Sequence, residues 1–164
     1  MTKSDKAPGS GEITVRRATT ADLAALAEFN IGIALETEGR RLDLDVLSAG
    51  LARVLGDSSL GFYTVAEIGG AVVGCTLITF EWSDWRNGMI WWIQSVYVAR
   101  HARGKGVFSA IHRRLDEESR SNPGVLGFRL YVEEENQRAQ EVYRRRGLKR
   151  TRYVVFEGLR VESR

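Results

Sequence analysis

The stretch Ser95-Val96-Tyr97-Val98-Ala99-Arg100-His101-Ala102-Arg103-Gly104-Lys105-Gly106-Val107-Phe108 changes period partway along. Its first residues close the run Met89–Val98, nearly all apolar, which predicts a central strand buried on both faces. After the loop, Val107, Phe108, Ile111 and Leu115 recur at helical spacing. Between strand and helix lies a basic turn with two glycines. The first turn of a helix has amides without intrahelical partners and a partial positive charge. Glycines let a phosphate approach the backbone closely, and Arg100, Arg103 and Lys105 add charge beside them. Strand, loop and helix together therefore predict an anion-binding turn. It is not a P-loop, because G-x-x-x-x-G-K-[ST] is absent, and the third glycine of a dinucleotide fingerprint is Ser109 here. Two glycines alone would do no more than ease a tight turn.

Upstream, Glu12–Arg17 alternates as a short strand. Thr20 is the expected N-cap of a helix carrying Leu23, Leu26, Ala27, Ile31 and Leu35, which Gly39 ends. Asp43 or Asp45 opens a second helix that closes at Gly56-Asp57-Ser58-Ser59. Gly61–Ala66 and Ala71–Trp82 read as strands joined by Gly69-Gly70, and Gly74 marks a bulge or a close backbone approach. Ser83–Gly88 is a turn cluster. Downstream, Ser121–Gly124 stops the helix, Leu126–Val132 is a strand, Asn136–Arg146 a helix with Gly147 as C-cap, and Leu148–Glu157 a final strand. The order predicts an α/β domain with a partly antiparallel sheet. Residues 1–11 read as a flexible polar tail and 12–164 as one domain, with no repeat or linker.

The later helix carries a second signal. Asn136, Ala139 and Tyr143 share one face. The alanine leaves room along that face, and a tyrosine hydroxyl can protonate a leaving thiolate. The alternative is that Asn136 caps the helix and Tyr143 fills core.

Together the two segments resemble the GNAT family (GCN5-related N-acetyltransferases). Val98–Phe108 lies on the family loop V-x-P-x-x-R-G-x-G-x-G/A, and Asn136, Ala139, Tyr143, Gly147 and Leu148 match the helix pattern N-x-x-A-x-x-x-Y-x-x-x-G-F/L. The resemblance covers about residues 12–157. It implies the GNAT-type acyl-CoA N-acyltransferase fold, a mixed, mostly antiparallel sheet flanked by about four helices. It implies acetyl-CoA as cosubstrate and direct acetyl transfer to an amine without a covalent enzyme intermediate. The strand ending at Val98 would splay from its neighbour, with the backbone of Val96, Tyr97 and Val98 along the pantetheine arm. Amides from Arg103, Gly104, Lys105, Gly106, Val107, Phe108 and Ser109 would cradle the pyrophosphate. An amide near Val96 would polarise the thioester, Asn136 would contact the cofactor arm, and Tyr143 would act as general acid. Two positions depart from the pattern: Arg100 replaces the proline, and Phe108 replaces the last small residue, so its ring must turn away, for which the Ile111–Leu115 stripe offers a place. A third departure concerns the base. No carboxylate lies between Asp84 and Asp116, and Gln94, where an acid would be expected, cannot act as one. Glu36, Glu38, Glu81 and Asp84 are the candidate replacements, with Glu36 and Glu81 first, or water alone serves.

Composition bounds the rest. The chain has 164 residues, 43% apolar and 27% charged, with net charge +3, ordinary for a soluble domain. No apolar run approaches the roughly 18 residues of a membrane span, and the tail lacks the h-region of a signal peptide. A single cysteine, Cys75, excludes an intrachain disulfide and reads as a buried hydrophobe, so cytoplasm is the expected compartment. Basic residues interleave with acids, which argues against nucleic-acid binding. His101 sits in the loop near phosphate or ribose, His112 is expected exposed on its helix, and neither has metal-ligand spacing, so no metal is expected. Trp82, Trp85, Trp91 and Trp92 crowd one hairpin, where they pack the sheet or wall an amine site. Trp91 and Trp92 must face opposite ways. Partners are then a small-molecule or peptide amine. Sheet edges in this type of fold often pair between subunits, so a homodimer stays open. The alternative function is a weak or inactive acyl-CoA-binding regulatory module of the same fold.

Overall fold

A computed structural model describes residues 11–158 and 160; most of the expected tail lies outside them. Five strands form one sheet in sequential order, β1 (Ile13–Arg17), β2 (Phe62–Ile68), β3 (Ala71–Ser83), β4 (Gly88–Val98) and β5 (Val125–Arg129). The first three pairings are antiparallel and β4–β5 is parallel. The helices are α1 (Leu23–Thr37), α2 (Leu44–Gly56), α3 (Val107–Arg120) and α4 (Gln137–Arg145). This is the mixed, mostly antiparallel α/β architecture with four helices that the sequence predicts.

Local chemistry explains the boundaries. Gly69 and Gly70 both take positive φ, 60° and 80°, as a two-residue hairpin matched to strand twist requires. The Asp43 carboxylate accepts from the amides of Asp45 and Val46 at the start of α2. The first helix departs slightly from expectation. A single 3₁₀ turn, Thr20–Asp22, precedes α1, and the cap position is Thr19 rather than Thr20. The Asp22 carboxylate accepts from the Thr19 amide at 2.7 Å and is held by Arg16 at 2.8 Å.

Side chains alternate between two core layers. Toward α3 point Ala66, Ile78, Trp91 and Ile93, packed on Val107, Ile111 and Leu115. Toward α1 and α2 point Tyr63, Val65 and Cys75, packed on Leu26, Phe29 and Leu51. Cys75 is fully buried, and burial pushes its thiol pKa up to about 12, an inert packing residue as expected. Truncating a side chain such as Ile111, fully buried, to alanine would cost about 2–5 kcal/mol.

Two expectations fail. Residues 148–157 carry no strand, and Tyr153, Val154, Val155 and Phe156 are exposed. Their alternation gives strand propensity, but a strand needs a ladder partner, and the sheet ends at β5. His112 is buried rather than exposed. It sits one helical turn from Phe108, and its ring lies between Phe108 and Phe128, 6.0 and 5.7 Å away. Its Nε2 is buried without a partner, and desolvation, with Arg146 nearby, lowers its pKa.

Candidate active site at the opening between β4 and β5

Two irregularities open the sheet. In β4, Ser95 faces Leu77 and Ile93 faces Ile78, so Gln94 bulges out of register and bends the strand. The β4–β5 ladder ends at the pair Trp92–Arg129. Beyond it the second half of β4, including Val96, Tyr97 and Val98, runs on without β5 beside it. Where the family resemblance implied a splay, the structure has an unpaired edge of β4, because β5 itself ends at Arg129.

At the end of that opening, β4 passes through a 3₁₀ turn, Arg100–Ala102, into the glycine loop and α3. Gly104 and Gly106 take φ of 77° and 86°, and the space where each Cβ would stand is empty for 4 Å. Only glycine adopts such a conformation without strain. Gly106 occupies the N-cap, and no side chain caps α3. The first helical bond runs from the Ala110 amide to the Gly106 carbonyl. The amides of Val107, Phe108 and Ser109 therefore precede the ladder, and with Gly104 and Gly106 they form a cradle that fits a phosphate. Arg146, the C-cap residue of α4, donates to the Ser109 hydroxyl and brings another cation to the same turn. Lys105 is exposed there, as is His101 in the preceding turn.

The loop arginines have a partner that sequence reasoning missed. Glu36, at the end of α1, accepts from Arg103 Nη2 at 2.7 Å and Arg100 Nε at 3.0 Å. Arg103 Nε also donates to the Val98 carbonyl at 2.9 Å. Arg103, and then Arg100, hold the Glu36 carboxyl below the usual carboxylate range. Tyr97, stacked on Phe29 at 5.1 Å, directs its hydroxyl toward the same carboxylate.

On the α4 side, Asn136 Oδ1 accepts from the Ala139 amide at 3.0 Å, so it caps α4. The Tyr143 ring lies 5.8 Å from Phe108, and Phe108 turns toward α4 and His112. Burial raises the Tyr143 pKa, and its hydroxyl has no hydrogen-bond partner among the described residues.

Of the other base candidates, Glu81 lies beside the point where the ladder ends. Its Oε1 pairs with Arg129 Nη1 at 2.5 Å, and its Oε2 accepts from the Trp92 indole. Glu38 is exposed and pairs with Arg40, and Asp84 accepts the Trp85 amide within its own turn. The tryptophans divide. Trp91 is core, edge-on to Phe62 and Phe128. Trp82 and Trp85 are exposed, and Trp92, on the opposite face from Trp91, reaches the opening. A cavity of about 760 Å³ lined by Phe62, Phe80, Trp82, Met89 and Trp91 lies at the start of β4, its Phe80, Trp82 and Trp91 on the sheet face opposite Glu81 and Trp92. No group of His, Cys, Asp and Glu suited to a metal occurs among the described residues, and none of their helices is long and apolar enough to cross a membrane.

Comparison with known proteins agrees with this geometry. The chain belongs to the acetyltransferase (GNAT) family, whose model matches residues 28–148, and is an acyltransferase of that class. It is similar to the crystal structure of a possible acetyltransferase from Clostridium difficile 630, at 39% identity and a TM-score of 0.84, over 92% of this chain and 99% of that one. An aminoglycoside N-acetyltransferase solved with coenzyme A shares the fold at 15% identity and a TM-score of 0.76, over 95% of this chain and 100% of that one. A ribosomal-protein-alanine N-acetyltransferase from Brucella melitensis biovar Abortus 2308 shares it at 13% identity and a TM-score of 0.70, over 90% and 99%.

Proposed function

We propose that this chain transfers the acetyl group of acetyl-CoA directly to an amine. The observation that carries the reading is the opening beyond Trp92–Arg129, which runs to the uncapped, glycine-led first turn of α3. The amides from Gly104 to Ser109 hold the pyrophosphate, that of Arg103 being taken by the Arg100 carbonyl, with Lys105, Arg100 and Arg103 neutralising it through their side chains. The edge of Val96, Tyr97 and Val98 that faces away from β3 lies along the pantetheine arm, the Val98 carbonyl being shared with Arg103 Nε, and an amide near Val96 stabilises charge developing on the thioester oxygen. Asn136 caps α4 with its oxygen, which leaves its NH₂ group for the cofactor arm. When bound, acetyl-CoA supplies the activated acetyl group.

The acceptor nitrogen bonds to the acetyl carbon as the carbon–sulfur bond breaks. Tyr143 gives its proton to the leaving sulfur, and its raised pKa keeps it protonated at neutral pH. The nitrogen's proton passes to Glu81 and on to water, and a proton from water restores Tyr143. Glu36 lies at the loop end of the opening, where its carboxylate is taken by Arg103 and Arg100. Cytoplasm is the proposed compartment.

The test combines thiol release from acetyl-CoA with mass spectrometry of the acceptor across a panel of amines. Acetylated product with wild-type protein, and a 100-fold or greater loss in Tyr143→Phe, is expected of a positioned general acid, whose contribution is about 10²–10⁴-fold. Tight acetyl-CoA binding with no product from any amine would favour a non-catalytic acyl-CoA-binding module instead.

A further inference from the structure

The apex of the opening holds a charge-balanced, aromatic-walled patch, of which the transfer chemistry uses only Glu81. Trp92 and Arg129 are the last paired residues of β4 and β5. On the same sheet face Arg129 meets Glu81 at 2.5 Å, and both are 36% exposed. The Arg129 guanidinium lies 5.8 Å over the Trp92 ring, whose indole donates to the other oxygen of Glu81. The bulged Gln94 donates to Thr79 Oγ1 at 2.8 Å and accepts from the Tyr131 hydroxyl at 3.3 Å. Tyr131, itself exposed, sets its ring 5.9 Å from Trp92. One anion, one cation, two rings and a fixed amide thus share one surface.

That composition selects among amines. Arg129 spends one N–H on Glu81, and its Nε and Nη2 make no other hydrogen bond among the described residues. A guanidinium fork with two free donors suits a carboxylate, which accepts both. Glu81 offers its charge to an ammonium, and Trp92 and Tyr131 offer rings to an apolar body or a cation. A polycation would gain Glu81 but meet Arg129 beside it, and the pair carries no net charge to attract it.

We infer that the acceptor is an amino acid or a similar amino-carboxylate, its carboxylate held by Arg129, its amine by Glu81 and its side chain against Trp92 and Tyr131. This rests on the acetyl-transfer reading above and names the substrate class of that site.

The experiment compares phenylalanine with phenethylamine, which lacks only the carboxylate, and adds an aminoglycoside as a polycationic arm. Acetyl-CoA binding is measured separately by calorimetry. Wild-type protein should favour phenylalanine by about 10- to 100-fold in kcat/KM, the range of a charge-assisted hydrogen-bond pair. In Arg129→Gln that preference should collapse to within about threefold, mainly through KM for the amino acid, with partial recovery in Arg129→Lys. A merely structural role for Arg129 would lower both acceptors equally and leave the ratio intact. That outcome overturns the inference, as does turnover of phenethylamine or the aminoglycoside at or above phenylalanine's rate, or acetyl-CoA binding with no amino acid acetylated. Failure to bind acetyl-CoA at all would instead overturn the transfer reading on which it rests.

Discussion

Replacing Glu36 with glutamine should tighten acetyl-CoA binding while leaving the chemical step nearly intact. Glu36 occupies Arg103 at 2.7 Å and Arg100 at 3.0 Å, and the same two cations are assigned to the cofactor phosphates. In the empty protein the carboxylate and the incoming phosphate therefore compete for them. Partly exposed ion pairs are each worth about 0.2–1 kcal/mol, or about 0.4–2 kcal/mol for the two after solvent screening. If binding must displace them, removing them tightens Kd by about 2- to 30-fold. Calorimetric titration of wild type and Glu36→Gln with acetyl-CoA reads this directly. The difference should shrink at 0.5 M salt, where exposed charges are screened. Steady-state kinetics with a turned-over amine should show kcat within about threefold of wild type, since a base normally contributes far more. Weaker binding in the variant would mean that Glu36 positions the arginines for phosphate. A 100-fold fall in kcat with unchanged Kd would mean that Glu36 is the base after all, and either result would refute the competition.

Tyr143→Phe should lose 100-fold or more in kcat with Kd for acetyl-CoA within about threefold, measured by thiol release and calorimetry. Gly74→Ala should destabilise the fold, because its Cβ would meet the Tyr97 carbonyl oxygen at 2.9 Å and Val107 Cγ1 at 3.0 Å. An overpacking cost of about 1–3 kcal/mol corresponds to a Tm fall of roughly 2–12 °C for a chain of this size. His112 sets a pH dependence. Burial first, and then Arg146, hold its folded pKa below the ordinary 6.5, with Asp116 opposing them, so the unfolded chain binds the extra proton first. Its stability contribution is complete above about pH 6.5 and is lost as pH falls toward the folded value. Denaturant melts of wild type and His112→Phe should diverge in slope between pH 7 and 5, the variant being flatter.

The parts of the site legible in the sequence are those written in local spacing. The Gly104–Gly106 turn, the strand before it and the stripe after it all lie within one stretch of chain, and so do the Asn136–Gly147 matches. What escaped depends on long-range partners. Glu36 looked like a free carboxylate until α1 folded against the loop 64–67 residues later. The bulge at Gln94 and the end of the ladder at Trp92–Arg129 depend on how β4 meets two neighbours. Arg129 and Tyr131 carry no signal by themselves in a mixed strand with one arginine. His112 is a different kind of miss. Its spacing from Phe108 and Leu115 places it on the buried stripe, and that signal was present, but its neighbours Arg113 and Arg114 suggested a solvated face. For Leu148–Glu157 the alternation was real, but propensity does not supply a partner strand.

The most direct test of acetyl transfer through this site is a thermal-unfolding titration with acetyl-CoA, run beside NAD and ATP. At about 100 times Kd, a ligand bound only by the folded state adds about 2.7 kcal/mol, which for a chain of this size raises Tm by roughly 5–10 °C. A rise of that size with acetyl-CoA, and none with NAD or ATP at the same concentration, is the predicted result. No rise with acetyl-CoA, or a larger one with NAD, would contradict the assignment of the glycine turn to the cofactor pyrophosphate.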